Sequence, residues 1–385
     1  MEQTWRWFGP KDPIALKHVA EAGATGIVTA LHQIPGGTAW TVDAVAERQA
    51  MIAAAGLTWS VVESIPVTNA IKARTANWRS DVEAWKASLR ALGAAGIGTV
   101  CYNFMPIVDW TRTELAYPLK SGLALRFDVV DFVAYDAFVL GRQGADSDYD
   151  ADVVRQAEAR FAAMGEARKA ELEKIILAGL PGSDFGYDRA AFLALLRDYA
   201  GMTPADLRAS LADFHREVVP VAEEMGIRLA IHPDDPPMPL FGLPRVVSTE
   251  DDAAALLGAV DSIANGLTFC VGSYGSRGDN DLVRMVTRFA PRIHFLHMRN
   301  VTRQAAGSFY EDEHLEGDAD MVAIVAAVLD EEARRGAAIP FRPDHGHLLA
   351  ADPVKNANPG YSYLGRLKGI AEIRGVERAV RALRA

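Results

Sequence analysis

Eight short segments rich in apolar, β-branched and aromatic residues recur along the 385-residue chain, and helical patterns lie between most of them. The predicted strands are TWRWF (4–8), GIVTALH (26–32), TWSVVES (58–64), GTVCYNF (98–104), RLAIH (228–232), LTFCV (267–271), RIHFLHM (292–298) and AIPFRPD (338–344). Alternation of apolar strands with helices is typical of βα units in a parallel sheet. Eight such strands close a barrel, so the pattern predicts an α/β fold, a (β/α)8 TIM barrel.

Helical periodicity connects these strands. The predicted helices span 13–22, 42–55, 80–95, 250–265, 281–289 and 321–335, and three of them end just before Gly23, Gly56 or Gly96. Glycine at this position is typical of a helix that ends in a left-handed residue. A doubly wound open sheet is the alternative, but no Gly-rich dinucleotide fingerprint follows any of the strands. We therefore expect one TIM-barrel domain over residues 1–385.

The regular spacing breaks once, between Phe104 and Arg228, where well over a hundred residues replace one crossover. Charged, Ala-rich helical patterns cover 150–174, and Thr203-Pro204 opens another helix. We predict a helical insertion or cap at approximately 110–225, after strand 4 and on the C-terminal face of the barrel. Such an insertion can cover an active site or join subunits, and the two interpretations are compatible.

Four of the predicted strands end in a residue that can bind a metal. These residues are His232, Cys270, His297 and Asp344. Active sites of TIM barrels are built from the carboxyl ends of several strands, and residues two apart on a strand share a face. Two imidazoles, a thiolate and a carboxylate suit a borderline divalent ion such as Fe(II), Mn(II), Co(II) or Zn(II), and the thiolate argues against Mg or Ca.

Each candidate also has a simpler interpretation, because a lone histidine is more often structural than a ligand. Cys101 lies in the fourth predicted strand and is expected to be a small buried residue. His294 has the opposite parity to His297 and is expected to face the surrounding helices.

Further polar residues follow the same strand ends. Arg299 is predicted to bind a substrate carboxylate, with Asn300 beside it, although such an arginine can instead neutralise buried carboxylates. His345 and His347 are candidates for acid/base chemistry or for support of the ligands. Tyr361, in a Gly/Pro loop, is either surface packing or a proton donor that folds over the mouth of the barrel.

Composition and charge limit the partners and the location. The formal net charge of −10 argues against a nucleic acid or a membrane as partner, since such binding needs a clustered basic surface. No secretory signal pattern and no apolar run of membrane-spanning length is present. We expect a cytoplasmic protein in which Cys101 and Cys270, the only cysteines, remain reduced thiols.

These motifs resemble those of the mannonate dehydratase (UxuA) family, a family of metal-dependent lyases of hexuronate catabolism. The resemblance runs nearly end to end. It is carried by WRWFGPKDP, GIVTALHQIP, VCYNFMPIVDWTRTEL, ALRFD, LAGLPG, AIHPDDPP, FCVGSYGS, HFLHMRN, RPDHGH and NPGYSYLGRLKG.

The resemblance implies a xylose-isomerase-like barrel that uses Mn(II) or Fe(II) to convert D-mannonate to 2-keto-3-deoxy-D-gluconate and water. It implies the metal ligands His232, Cys270, His297 and Asp344, and acid/base chemistry at Tyr361, His345 or Asp344. The candidates for contacts with the sugar hydroxyls are His32, Asn103 and Arg6.

Two other functions remain open from the sequence alone. One is a metal-dependent sugar isomerase, a hydrolase or a dehydratase of another aldonate on the same barrel, since fold does not fix chemistry. The other is a non-catalytic metal-binding or sugar-binding protein. In each case the expected partner is a small molecule, and we expect a homo-oligomer.

Overall fold

The computed structural model describes residues 1–178 and 187–384, and it contains the eight predicted strands at the predicted places. In chain order the strands are β1 (Glu2–Arg6), β2 (Gly26–Thr29), β3 (Thr58–Glu63), β4 (Thr99–Tyr102), β5 (Glu114–Leu119), β6 (Gly122–Phe127), β7 (Arg228–Ile231), β8 (Asn265–Cys270), β9 (Ile293–His297), β10 (Asn300–Arg303), β11 (Phe309–Asp312) and β12 (Pro340–Arg342). Residues 179–182 of the LAGLPG motif lie outside the described residues.

The helices include all six that the periodicity predicted. They are α1 (Leu16–Glu21), α2 (Val42–Ala54), α3 (Asn69–Ala73), α4 (Trp78–Ala94), α5 (Val129–Val133), α6 (Ala151–Ala163), α7 (Glu166–Ala178), α8 (Arg189–Asp198), α9 (Pro204–Glu224), α10 (Glu250–Ala259), α11 (Val271–Gly275), α12 (Leu282–Phe289), α13 (Met321–Arg335) and α14 (Tyr363–Arg384). Helix α10 ends earlier than predicted, because Val260 is extended and Asn265 donates to the carbonyls of Leu256 and Val260.

Eight parallel strands form a closed barrel in the order β1-β12-β9-β8-β7-β4-β3-β2. The predicted TIM-barrel fold is therefore confirmed. The inside of the barrel is filled by a small apolar cluster of Val28, Val61, Cys101, Ala230 and Phe295, while a much larger cluster packs the outer strand faces against the helices. Cys101 thus has the buried position expected for it, and the interior is a packed core that supports the residues at its carboxyl end.

The long segment between β4 and β7 differs from the predicted helical insertion, because it also contains strands. Strands β5 and β6 form a hairpin that joins β10 and β11 in a four-stranded antiparallel sheet, in the order β10-β11-β6-β5. A second apolar cluster packs this sheet against helices of the segment. Helix α9 belongs with the barrel, because its Phe214 packs edge-on against Trp85 of α4. The role of the segment as a cap or a subunit contact stays a prediction.

No helix among the described residues is both long and apolar enough to cross a membrane.

Phe295 provides a direct test of the barrel interior. It is fully buried, and its ring meets the His297 ring edge-on at 4.7 Å between centroids. Truncating a buried phenylalanine leaves a cavity, so we expect Phe295→Ala to lower the free energy of unfolding by about 3–5 kcal/mol in denaturant titration. Val322→Ala, at a side chain that is 53% exposed, should change it by less than about 0.5 kcal/mol. Equal stabilities for the two variants would contradict the packed interior.

Candidate metal centre and active site

Neighbouring strands of the barrel bring together four side chains that are distant in the sequence. His232 follows β7, Cys270 and His297 end β8 and β9, and Asp344 lies two residues beyond β12. His232 Nε2 lies 3.0 Å from His297 Nδ1. Asp344 Oδ2 lies 3.8 Å from Cys270 Sγ, and its Oδ1 lies 3.7 Å from His297 Nδ1. All four residues predicted as ligands therefore meet at the carboxyl end of the barrel.

The donor atoms fit a divalent metal. His232 Nδ1 contacts the Pro233 carbonyl at 2.7 Å, and because a carbonyl only accepts, the hydrogen is on Nδ1 and the Nε2 lone pair faces His297. Arg342 Nε donates to His297 Nε2 at 3.0 Å, so the hydrogen of the neutral His297 ring is on Nδ1 and bridges the 3.0 Å to His232 Nε2. A bound metal ion would replace that hydrogen. One nitrogen or sulfur atom from each of His232, Cys270 and His297 lies within 4.8 Å of the others. Such a set suits Mn(II), Fe(II), Co(II) or Zn(II), and the ligand roles stay a proposal.

Arg342 holds the carboxylate of Asp344 in place. Its Nη1 lies 2.5 Å from Asp344 Oδ1, and its Nη2 donates to Glu63 Oε1 at 2.9 Å. Burial alone would raise the pKa of both carboxyls, but Arg342 and further nearby cationic groups outweigh burial and hold each pKa well below its usual range. Both groups are therefore ionised at neutral pH, as a metal ligand must be.

Arg299 lies between two other buried carboxylates. Its guanidinium donates to Asp235 at 2.6 Å and to Glu311 at 2.9 Å, and Arg112 pairs with the same two carboxylates at 2.7 and 2.6 Å. Despite burial, these arginines and His345 hold the pKa of Glu311 at about 2. Both Nη atoms of Arg299 are thus committed to internal partners, the alternative that the sequence left open, whereas its buried Nε–H has no hydrogen-bond partner among the described residues.

The two main candidates for acid/base chemistry lie side by side. His345 Nδ1 is 2.7 Å from Glu311 Oε2, and an ionised carboxylate only accepts, so the hydrogen is on Nδ1 and the neutral form of the ring carries its lone pair on Nε2. The rings of His345 and Tyr361 meet edge-on at 4.9 Å between centroids. Burial raises the pKa of Tyr361 to about 12, so its hydroxyl is protonated at neutral pH. His347 Nε2 contacts the Glu311 carbonyl at 2.9 Å, which makes it a support for β11.

A central cavity of about 50 Å³ is lined by two of the four proposed ligands, His232 and Asp344. Among the residues that the sequence singled out, those lining it are Arg6, Asn103, His232, Arg299, Asp344, His345 and Tyr361. Arg6 contacts the buried carboxylate of Glu63 at 3.3 Å, and Asn103 donates to Asp109 at 3.3 Å. Both side chains keep polar atoms near the cavity.

Two predicted substrate contacts lie elsewhere. Asn300 begins β10, where its Nδ2 donates to the carbonyls of His314 and Ala319 and its Oδ1 accepts from two backbone N–H groups. Backbone groups thus take both the donors and the acceptor of its amide, which leaves no free group for a substrate contact. His32 lines a neighbouring, larger cavity. Its Nε2 lies 3.4 Å from Nη2 of Arg6, and Arg6 lines the central cavity.

Sequence analysis missed the carboxylates that organise this site. Glu63 ends β3, so the strand-end criterion that identified His297 could also have identified Glu63. Asp235 belongs to the HPDDPP motif but lies three residues beyond the ligand. Glu311 carries no comparable signal, because it reaches the site on β11 of the added sheet.

Comparison with known proteins identifies the family of the chain. The sequence model of the D-mannonate dehydratase (UxuA) family matches residues 1–385. The chain belongs to this family. Two relatives of the D-mannonate dehydratase family are mannonate dehydratase 2 of Agrobacterium fabrum, 55% identical over 99% of this chain and 97% of the relative, and mannonate dehydratase of Saccharophagus degradans, 52% identical over 100% and 98%.

One solved structure supports membership of this family, and a second shares the fold. The crystal structure of mannonate dehydratase from Streptococcus suis serotype 2 superposes with a TM-score of 0.79 at 35% identity, covering 100% of this chain and 94% of that one. A xylose isomerase-like TIM barrel protein from Mycobacterium smegmatis gives a TM-score of 0.51 at 16% identity, covering 100% and 97%. This second likeness concerns the fold alone.

Two histidines of β9 give a matched test of the metal centre. His297 faces the other proposed ligands, whereas His294 has the opposite parity and its Nε2 contacts the Ile263 carbonyl at 2.8 Å. We expect His297→Ala to weaken Mn(II) binding by at least about a hundredfold in titration calorimetry, because it removes a ligand rather than a supporting group. His294→Ala should retain binding, with circular dichroism as the check on folding. Unchanged affinity in the His297 variant would remove it from the centre.

Proposed function

We propose that this chain dehydrates D-mannonate to 2-keto-3-deoxy-D-gluconate and water, using Mn(II) or Fe(II) held by His232, Cys270, His297 and Asp344. One observation carries the proposal: four potential ligands from four strands meet, and two of them line a cavity that a candidate base and a candidate acid also line. The mannonate dehydratase relatives that the chain matches along its whole length support the choice of substrate.

The reaction removes a proton from C2, next to a carboxylate, and expels the hydroxyl group at C3. Its barrier is high because negative charge develops next to a group that is already anionic. A divalent ion, when bound, supplies Lewis-acid stabilisation of this charge. The protein must also provide a base near C2 and an acid near C3.

His345 is the residue we assign as the base. Glu311 accepts the hydrogen of Nδ1, which leaves the Nε2 lone pair available for the C2 proton and stabilises the imidazolium that then forms. Asp344 was the other candidate, but its carboxylate is paired with Arg342 and its lowered pKa makes it a weak base. We therefore assign Asp344 to the metal alone.

Tyr361 is the residue we assign as the acid. Hydroxide is a poor leaving group, so the C3 oxygen must receive a proton as its bond to carbon breaks. A tyrosine whose pKa is about 12 keeps its proton at neutral pH and can donate it there. The departing group then leaves as water, and the resulting enol tautomerises to the 2-keto acid.

Arg6 and Asn103 are the residues we propose for contacts with substrate hydroxyls in the central cavity, because both line it. Arg299 contributes positive charge near the substrate carboxylate rather than a two-point hydrogen bond. Its Nη1 and Nη2 atoms already donate to Glu311, Asp235 and Ser273, which leaves only the Nε–H without a partner among the described residues.

Metal dependence tests the reaction itself. Chelator-treated protein should form 2-keto-3-deoxy-D-gluconate from D-mannonate only after Mn(II) or Fe(II) is added, as followed by a colorimetric assay for 2-keto-3-deoxy acids. Cys270→Ser should lose most of this activity and bind the metal at least about tenfold more weakly, because a soft sulfur ligand is removed. Absence of product with every divalent metal would refute the assignment, whereas full activity in the variant would remove only Cys270 from the ligand set.

Two tyrosines that are two residues apart, Tyr361 and Tyr363, give a matched test of the proposed proton donor. Tyr361→Phe should lower kcat by about two to four orders of magnitude while metal content stays at the wild-type level, since one acid/base group is worth that much. Tyr363→Phe is the control, because that hydroxyl donates to the His18 carbonyl at 3.3 Å. Similar kcat values for the two variants would exclude Tyr361 as the proton donor.

A further inference from the structure

A second and larger cavity adjoins the central one at the mouth of the barrel. It has a volume of about 540 Å³, and we call it the side cavity. Residues that line it include Phe8, Lys11, His32, Gln33, Arg48 and Asn358. Phe8 and His32 follow the carboxyl ends of β1 and β2, and Asn358 lies in the loop that leads to Tyr361. The side cavity therefore opens on the same end of the barrel as the proposed metal centre.

One layer of side chains separates the two cavities. Arg6 of the central cavity lies 3.4 Å from His32 of the side cavity, between Nη2 and Nε2. Tyr361 of the central cavity packs edge-on against Phe8, with 4.8 Å between ring centroids. The wall between the cavities therefore consists of Arg6 and Tyr361 on one side and of His32 and Phe8 on the other.

The central cavity is too small for a whole six-carbon aldonate. Its volume of about 50 Å³ is well below the roughly 150 Å³ of a cavity that holds one benzene molecule, which also has six carbons. Carbons C1 to C3 are placed by the proposed chemistry, between the metal centre and Tyr361. The remaining carbons continue beyond C3, and the side cavity offers ample volume behind Tyr361.

Its lining also fits hydroxyl groups. Burial, with the nearby positive charges of Arg6 and Arg48, lowers the pKa of His32 to about 3, so the ring is neutral. Its buried Nδ1 has no hydrogen-bond partner among the described residues. The amides of Gln33 and Asn358 add neutral donors and acceptors. A buried polar atom without a partner is costly, and a sugar hydroxyl would satisfy it.

We propose that the side cavity binds the C4–C6 polyol end of the substrate, with His32 and Asn358 as hydroxyl contacts that select the length of the aldonate. This inference rests on the proposed function, because the direction of the substrate follows from Tyr361 acting at C3. His32 then determines specificity and takes no part in the proton transfers.

Binding to a variant that cannot turn over tests the proposal apart from catalysis. Mn(II)-loaded Tyr361→Phe protein is titrated calorimetrically with D-mannonate and with L-erythronate, which keeps the configuration at C2 and C3 but lacks the two terminal carbons. Adding His32→Ala should weaken D-mannonate binding about tenfold to a hundredfold and change L-erythronate binding less than about twofold. Asn358→Ala should show the same selectivity. His18→Ala, at a histidine of α1 that packs against Tyr363, should affect neither ligand.

Equal weakening of both ligands, or no weakening of D-mannonate, would overturn the proposal. Equal weakening would mean that His32 acts by holding Arg6 beside the reacting carbons. Turnover of D-mannonate by the wild-type protein is measured in parallel. A selective binding loss without wild-type turnover would contradict the proposed reaction and leave the polyol site standing.

Discussion

Ionised side chains that are removed from water at the mouth of this barrel must neutralise one another where they lie. Arg299 joins Asp235 to Glu311, and Arg342 joins Glu63 to Asp344, with every one of these contacts at 2.9 Å or less. Each of these carboxylates also has a second arginine nearby: Arg112 contacts Asp235 and Glu311, Arg6 contacts Glu63, and Arg299 Nε lies 3.4 Å from Asp344. This pairing keeps the carboxylates charged and fixes their positions before any substrate arrives.

The division of chemical roles follows from that pairing. Glu311 stays ionised, so it only accepts, and this sets the tautomer of His345. Asp344 faces arginines, which suits the proposed role of a ligand better than that of a base. Burial raises the pKa of Tyr361 to about 12, so its hydroxyl stays protonated at neutral pH. The surroundings thus lower the pKa of Glu311 and Asp344 and raise that of Tyr361. Such a difference in pKa between neighbouring groups is what separates acid and base roles in one site.

The barrel and the proposed ligands could be predicted because both leave local signals. A buried parallel strand is a near-continuous apolar run, and a ligand at its end has a fixed parity, which separated His297 from His294. Asn300 was proposed because it lies beside Arg299 at the predicted strand end, but there the chain leaves the barrel and begins β10, where its amide binds backbone groups. Glu311 could not be found, since antiparallel pairing of β11 with β6 brings it to the site, and that pairing joins segments far apart in the sequence.

The central claim is that one divalent ion is bound by side chains from four adjacent strands, including a cysteine sulfur. X-ray absorption spectroscopy of zinc-loaded protein tests it directly, because sulfur scatters differently from nitrogen and oxygen and lies farther from the metal. We predict one sulfur neighbour at about 2.3 Å together with nitrogen and oxygen neighbours at about 2.0–2.2 Å, and loss of the sulfur signal in Cys270→Ser. A wild-type spectrum that contains only nitrogen and oxygen neighbours would contradict the claim.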